Sequence, residues 1–327
     1  MIAALRRARA EHGAAWFVAR RVGQAVIVLL GVSVLVFSII HLVPGDPVRL
    51  ALGTRFDQDT YDALRARSGL DQPLLTQYLD WLGRALSGDL GVSFRSGEPV
   101  TDLILERLPA TVSLALGAIV VALLIALPLG LVSALRPRGP VDYVATFVSQ
   151  AGISIPDFWL AIMGILFFAA TLGWLPSGGY TPLTEDPVEW FRHLVMPAVT
   201  VGVVSGSVLT RFVRSSALEA LGQDYTRTAR AKGLPARLIL RRHVLRNALV
   251  PVITVTGIQL AYLLSGVVVV EVVFSWNGLG QLALQAVEQR DYPVLQGAVL
   301  LFAIVFLVVN LVVDLVYAVV DPRISNA

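Results

Sequence analysis

The chain has 327 residues, 56% of them hydrophobic and only 15% charged, with a mean hydropathy of +0.72. A globular domain carries about 25% charged residues, so the composition argues against a soluble enzyme. Cysteine is absent, which removes a disulfide scaffold, a thiolate metal site and a cysteine nucleophile. The net charge is only +3, but 26 basic residues lie behind it, all Arg except Lys232, and their placement matters more than the total.

Stretches free of ionisable residues locate the membrane crossings. A charge at mid-bilayer costs roughly 2.5 to 3.5 kcal/mol on insertion scales, and about 20 apolar residues suffice to cross. Six runs qualify, with predicted extents 22–43, 108–135, 143–172, 193–213, 247–271 and 292–320, so an all-α integral membrane protein with six transmembrane helices is expected. The first run follows Arg6, Arg7, Arg9, Arg20 and Arg21. It is longer than the roughly 7 to 15 residues of a signal-peptide core. Pro44-Gly45-Asp46-Pro47 follows it instead of a small-x-small cleavage site, so it reads as an uncleaved anchor. The second run contains Pro128, a position where a kink is expected. The third is interrupted by Pro156 and Asp157. At about 1.5 Å per residue it is too long for one straight crossing, and a bend at Pro156 is expected.

Orientation follows from the basic residues. If residues 1–21 and the tail 321–327 are cytoplasmic, 17 of the 26 basic residues fall on that side. That is the asymmetry of the positive-inside rule, and both termini are expected in the cytoplasm.

Two connecting segments are long enough to do more than connect. Residues 44–107 form a predicted extracytoplasmic helical loop, with helices at Asp59–Arg67 and Pro73–Leu86. The second places Leu74, Leu75, Tyr78, Leu79, Leu82 and Leu86 on one face. Gly88-Asp89-Leu90-Gly91 ends it, and Pro99 opens another helix through Arg107. The loop is expected to pack on the spans as a cap; the other reading is a docking surface for a soluble partner. The second segment, from Arg211 to Arg246, holds nine basic residues and two acidic ones. A helix is predicted over Ser216–Lys232, stopped by Gly233-Leu234-Pro235, with a second helix after the proline. A basic juxtamembrane hairpin of this kind can simply bind lipid headgroups. The small residues Thr228, Ala229 and Ala231 leading to Gly233 favour instead a backbone that enters a partner's cleft.

At this point the sequence resembles a known family. Asp224-Tyr225-Thr226-Arg227-Thr228-Ala229-Arg230-Ala231-Lys232-Gly233-Leu234, followed by Arg246-Asn247-Ala248-Leu249 and Pro251, is similar to the EAA loop of binding-protein-dependent ABC importer permeases. The peptide branch, and its first permease subunit, is matched most fully. Pro44-Gly45-Asp46-Pro47, Gly69-Leu70-Asp71-Gln72-Pro73-Leu74, Gly88-Asp89-Leu90-Gly91, Arg107-Leu108-Pro109, Ile155-Pro156 with Phe158-Trp159, Glu271 with Phe274-Ser275-Trp276 and Gly278-Leu279-Gly280, Arg290-Asp291-Tyr292-Pro293, and Asp314-Leu315-Val316-Tyr317 with Asp321-Pro322-Arg323 all resemble it in order. Departures are Arg227-Thr228-Ala229 where the general motif has Glu-Ala-Ala, a longer interval from Gly233 to Pro251, and Asn277 where a proline is common.

The resemblance implies a type I ABC importer permease fold in a bacterial inner or plasma membrane. It implies a di- or oligopeptide substrate, with nickel chelates or glutathione as the alternative. Residues 214–246 become a coupling loop, in which Asp224, Tyr225, Arg227, Thr228, Ala229, Arg230, Ala231, Lys232, Gly233 and Leu234 dock a cytoplasmic ATPase. The implied partners are a second permease subunit, two ABC ATPases, an extracytoplasmic substrate-binding protein and the lipid bilayer, with no nucleic acid. ATP and Mg²⁺ are used by the partner subunits, and no cofactor or metal is expected on this chain. Independently of the resemblance, a P-loop needs Lys followed by Ser or Thr, and Lys232 is followed by Gly233, so the chain has no Walker A site and no catalytic residues are expected.

Intramembrane acids are candidates for the translocation path. Asp157 could hold a peptide ammonium, or it could cap the helix that restarts after Pro156. For Glu271 and Asp314 structural pairing is the stronger reading. Gly202 and Gly206 form a GxxxG expected to pack helices. An intramembrane protease lacks a Ser/His arrangement or an HExxH, and a secondary transporter lacks visible inverted repeats and has no use for a nine-charge hairpin.

Overall fold

A computed structural model describes residues 2–42, 45–53, 56–68, 71–265 and 267–320. The landmarks at Pro44, Gly69, Leu70, Asp321, Pro322 and Arg323, and the 321–327 tail, lie outside these residues. Within them the fold is helical, with one isolated antiparallel bridge between Val92 and Pro99. In chain order the helices are α1 (Ile2–Leu42), α2 (Pro47–Leu52), α3 (Gln58–Ser68), α4 (Leu74–Leu86), α5 (Val100–Leu135), α6 (Pro140–Ser154), α7 (Asp157–Gly164, continued as a π-helix over Ile165–Thr171), α8 (Pro187–Gly222), α9 (Asp224–Ala231), α10 (Ala236–Ile239, continued as a π-helix over Leu240–Val244), α11 (Leu245–Leu264), α12 (Val268–Val273), α13 (Leu279–Gln289) and α14 (Tyr292–Val320).

Among the described residues five helices are long and apolar enough to cross a membrane, and α6 with α7 and its continuation makes a sixth crossing bent by 97°. The bend falls at the expected proline. A residue before proline is driven out of the α region, and Ile155 is extended (φ −80°, ψ 124°), which ends α6 and lets Pro156 open α7. Pro128, by contrast, lies inside α5 without ending it. Three helix limits differ from the sequence reading. The helix expected from Pro99 to Arg107 is the first part of α5, which runs unbroken to Leu135, because no residue between Val100 and Leu108 stops it. The fifth crossing stops at Leu264, and Glu271 belongs to the separate short helix α12. The helix expected over Ser216–Lys232 is broken at Gln223, whose extended backbone (φ −71°, ψ 152°) separates α8 from α9.

The core is the α5–α8 pair. On α5 the buried residues Ala110, Leu114, Ala118, Ala122, Ala126, Gly130 and Ala134 recur every fourth position, which makes a ridge of mostly small side chains along one face. Ala198, Gly202, Gly206 and Thr210 do the same on α8. Inside a bilayer the hydrophobic effect does not press helices together, and close van der Waals contact between small residues replaces it. The glycines mark the closest approach. A Cβ added at Gly202 would lie 2.6 Å from Val121 Cβ, one at Gly206 3.1 Å from Ala122 Cα, and one at Gly130 2.9 Å from the Thr210 carbonyl. The other helices assemble around this pair: Gly152 of α6 against Ser207, and Gly257 of α11 against Val313 of α14.

Candidate functional site

At one end of the bundle the ends of α5, α8 and α11 converge with α9 and α10 in a small core of Ala134, Ala217, Ala220, Ala229, Ile239, Val244 and Ala248. The basic hairpin is built on this core. Helix α9 is fastened to α8 by Thr226, fully buried, whose hydroxyl donates to the Ala220 carbonyl at 2.8 Å. Its C-terminus closes as a Schellman turn: Gly233 N–H donates to Arg230 O at 2.9 Å and Leu234 N–H to Ala229 O at 3.3 Å. That turn needs a left-handed residue, and Gly233 supplies it at φ +73°. Leu234 then packs on the small core, and Pro235 starts the next helix by accepting from the amides of Leu238 and Ile239.

Thr226 and Ala229 form the inner face of α9. Of the ten coupling residues read from the sequence, Ala229 is buried and Leu234 half-buried, while Asp224, Tyr225, Arg227, Thr228, Arg230, Ala231, Lys232 and Gly233 are exposed. The row of small residues is thus divided. Ala229 is small so that α9 can lie on its own bundle, whereas Thr228 and Ala231 keep the outer surface shallow. No atom lies within 4 Å of where a Cβ at Gly233 would point, so its glycine is required by the turn and not by crowding within the chain. Arg227 reaches Asp224 at 3.4 Å, but both are highly exposed and such a pair adds little to stability. Tyr225 stands beside His243, ring centroids 6.4 Å apart.

Beneath the hairpin is a polar cluster that sequence reading missed. Arg214, counted there among the hairpin's nine charges, points back into the protein. Its Nε lies 2.6 Å from Asp142 Oδ1 and its second guanidinium nitrogen 2.8 Å from Oδ2. The Asp142 carboxylate also accepts from the Ser133 hydroxyl, at short range, and from the Arg138 amide at 2.8 Å. The cluster joins the end of α5, the turn before α6 and the last third of α8. At the same end Arg21 of α1 pairs with Asp314 of α14 at 3.2 Å, in line with the pairing expected for Asp314.

The two candidate path acids sit in contrasting places. Asp157 begins α7 at the bend, is partly exposed, and its Oδ1 accepts the amide of the adjacent Phe158 at 2.8 Å; the N-cap position itself is Pro156. Glu271 is fully buried at the opposite end from α9. It accepts from the Thr111 hydroxyl at 3.1 Å and the Gln281 amide at 2.8 Å. Gly278 and Gly280 make room for it: a Cβ at Gly280 would lie 2.9 Å from Oε2, and one at Gly278 would collide with the carboxylate. The neighbouring Trp276, also fully buried, donates its indole N–H to Ala110 O at 2.9 Å, and Asn277 receives Arg107. These contacts tie the α12–α13 corner to α5. Nearby, buried Asp291 accepts from the Ser93 hydroxyl and the Phe94 amide, clipping the loop 92–99 to the start of α14. Among the described residues no group of three His, Cys, Asp or Glu is placed to hold a metal ion.

Comparison with known proteins defines the class. Residues 126–326 match the family model described as binding-protein-dependent transport system inner membrane component, and residues 15–115 match the N-terminal model of the same membrane components. The oligopeptide transport system permease protein AppB of Bacillus subtilis is 42% identical over 312 residues, covering 94% of this chain and 99% of AppB. The dipeptide transport system permease protein DppB of Alkalihalophilus pseudofirmus is 37% identical over 327 residues, covering 94% and 98%. In fold, the chain is similar to a solved inward-facing structure of the MetNI methionine ABC transporter, with a TM-score of 0.57 at 21% identity over 68% of this chain and 99% of that one. The chain belongs to the inner membrane components of binding-protein-dependent transport systems. It is a multi-pass integral protein of the bacterial inner membrane with the permease fold of ABC transporters.

Proposed function

We propose that the chain is the permease subunit of an ATP-driven importer of di- and oligopeptides. It forms the translocation path with a second permease subunit, takes substrate from an extracytoplasmic binding protein, and is driven by two separate ABC ATPases that bind ATP and Mg²⁺. Both termini and α9 lie in the cytoplasm, a reading supported by the concentration of basic residues on that side. The peptide substrate is supported by the oligopeptide and dipeptide permeases named above.

The observation that carries the coupling role is the construction of α9. It is anchored to its own bundle by Thr226 and Ala229, ends in the Gly233 turn, and turns a shallow surface outward. Tyr225, Thr228 and Ala231 enter the groove of the ATPase, Asp224, Arg227, Arg230 and Lys232 meet its rim, and Ala229, Gly233 and Leu234 hold the helix in place. Opposite charges at a rim steer and orient more than they bind. When the ATPases close, α9 moves as a rigid body and carries α8 with it, which alternates access to the path. Asp157, at the α6–α7 bend, borders that path. Glu271 acts on it indirectly by holding the α12–α13 corner.

The test is Gly233→Trp in the assembled transporter. Space for the indole is open, but any side chain at φ +73° strains the turn, so Gly233→Ala is the control: both variants should insert and assemble, Gly233→Ala should keep most of the ATP-driven peptide uptake, and Gly233→Trp should lose it as the indole occupies the docking surface. Uptake equal to that of the unaltered protein would overturn the docking role.

A further inference from the structure

Helix α4 is inside out for a protein in water. Its sequence has three stripes, and the structure shows where each one points. Gln77, Trp81 and Arg84 face inward and line a cavity of about 290 Å³ closed by α1, the loop 89–99 and the start of α14. Thr76 and Asp80 are exposed on a polar flank. The leucine stripe, expected from the sequence to pack on the spans, points away from the protein: Leu75 is 71% exposed, Leu79 57% and Leu86 81%, with Leu74 beside them at 60%. A cap over a bundle would bury that stripe and expose the polar one.

The depth of α4 indicates what covers the leucines. Tyr78 shares a hydrogen bond of 2.8 Å with Ser33 of α1, Gln77 lies 3.0 Å from His41, and Phe37 packs against both Tyr78 and Trp81. Ser33 is nine residues before the end of α1 at Leu42, a drop of about 13 Å along a helix axis. Helix α4 therefore lies level with the last turns of a membrane span. On α1 itself Leu35 and Leu42 are 69% and 80% exposed, so the leucine stripe continues a surface that is already apolar. Tyr and Trp at this level are the residues that favour a membrane–water boundary.

We propose that α4 is an interfacial helix, lying in the plane of the bilayer surface with Leu74, Leu75, Leu79 and Leu86 sunk into the headgroup–acyl boundary. Such helices bury an apolar face about 5 to 10 Å deep and leave the polar flank in water. Embedded in this way, α4 fixes the height of the cavity and of the loop 89–99 relative to the lipid.

Because the chain contains no cysteine, single labels can be placed without background. Nitroxide labels on Leu75→Cys, Leu79→Cys and Leu86→Cys, and on Thr76→Cys and Asp80→Cys, are compared in the full chain reconstituted in lipid nanodiscs with its partner subunits. The leucine sites should collide several-fold more with oxygen than with a water-soluble nickel complex, and the two polar sites should show the reverse. Equal nickel accessibility at all five sites would put the stripe in water, and exclusion of both quenchers from the leucine sites would put it against protein; either result overturns the proposal. Should a cysteine variant fail to assemble, Leu79→Trp with brominated lipids gives the same decision, read as the difference from the unaltered complex because the chain already holds six tryptophans: added quenching supports the interfacial position and no added quenching refutes it.

Discussion

The Asp142–Arg214 pair offers a quantitative check on how the base of the basic hairpin is held. Its two partners differ in burial, with side-chain exposure of 6% for Asp142 and 33% for Arg214. Removing one partner of a buried pair costs about 3 to 5 kcal/mol, because the other charge is left uncompensated. In Asp142→Ala the orphan is the guanidinium, which can turn towards solvent, so the cost should fall below that range, at about 2 kcal/mol. In Arg214→Ala the orphan is the buried carboxylate, which keeps only Ser133 and the Arg138 amide as donors, and about 4 kcal/mol is expected. The double alanine variant leaves no charge uncompensated and should cost about 3 kcal/mol, half of the two single changes together, a coupling energy of about 3 kcal/mol. Arg214→Lys should not restore stability, since an ammonium cannot make the two-pronged contact. The measurement is unfolding of the purified chain in mixed micelles by increasing detergent denaturant, with the unaltered protein, the two single alanine variants and the double variant forming one cycle. Additivity within about 0.5 kcal/mol would refute the reasoning and reduce the pair to an ordinary surface contact.

Two further perturbations probe other levels of the structure. Gly202→Val should destabilise by about 1 to 3 kcal/mol, because the added methyls overpack the α5–α8 seam, where a Cβ alone would already sit 2.6 Å from Val121 Cβ. Gly222→Ala on the same helix meets nothing within 4 Å and should stay within about 0.5 kcal/mol by the same unfolding assay. In the loop, burial alone would raise the Asp46 carboxyl, but the amides of Arg49 and Val48, the Tyr61 hydroxyl and the Arg65 guanidinium outweigh it and hold the group below its usual 3.8. A depressed folded value means stability that is fully present above the unfolded value and lost as the pH falls through the folded one. Hydrogen-exchange protection of α2, corrected for intrinsic rates, should be constant down to about pH 4 and then fall, and Asp46→Asn should flatten that fall in α2, while α3 keeps the part that comes from Asp57, whose carboxyl the Thr60 amide and hydroxyl also hold low.

Much of this architecture could be read from residues in order. Apolar run lengths place the crossings because the bilayer core sets a minimum length and charge inside it is expensive. Ile155-Pro156 announces its bend through a local steric rule, and Gly233-Leu234-Pro235 announces its turn through the need for positive φ. The family itself was visible in the order of short motifs, and the matched relatives span the same regions.

Other features depend on contacts between distant parts of the chain. Arg214 and Asp142 are 72 positions apart. Nothing local distinguishes Arg214 from the other basic residues of the hairpin until the registers of α5, α6 and α8 are set. The ridge of four-residue spacing on α5 was present in the sequence as Ala110, Leu114, Ala118, Ala122, Ala126, Gly130 and Ala134, but its partner ridge on α8 becomes meaningful only once the two helices cross. The role of Glu271 likewise awaits the fold, which brings Thr111 to it.

For α4 the periodicity correctly established an amphipathic helix, and the leucines were identified one by one. Periodicity reports the angle between apolar and polar stripes and carries no information on which one meets the bundle. That choice was made by the fit of Tyr78 to Ser33 and Gln77 to His41 on α1, which turns the leucines outward. The sequence by itself determined what spans and where the chain turns, because those depend on local sterics and on the solvent. The tertiary structure alone decided which charges pair and which faces are left open, because those depend on the register between helices.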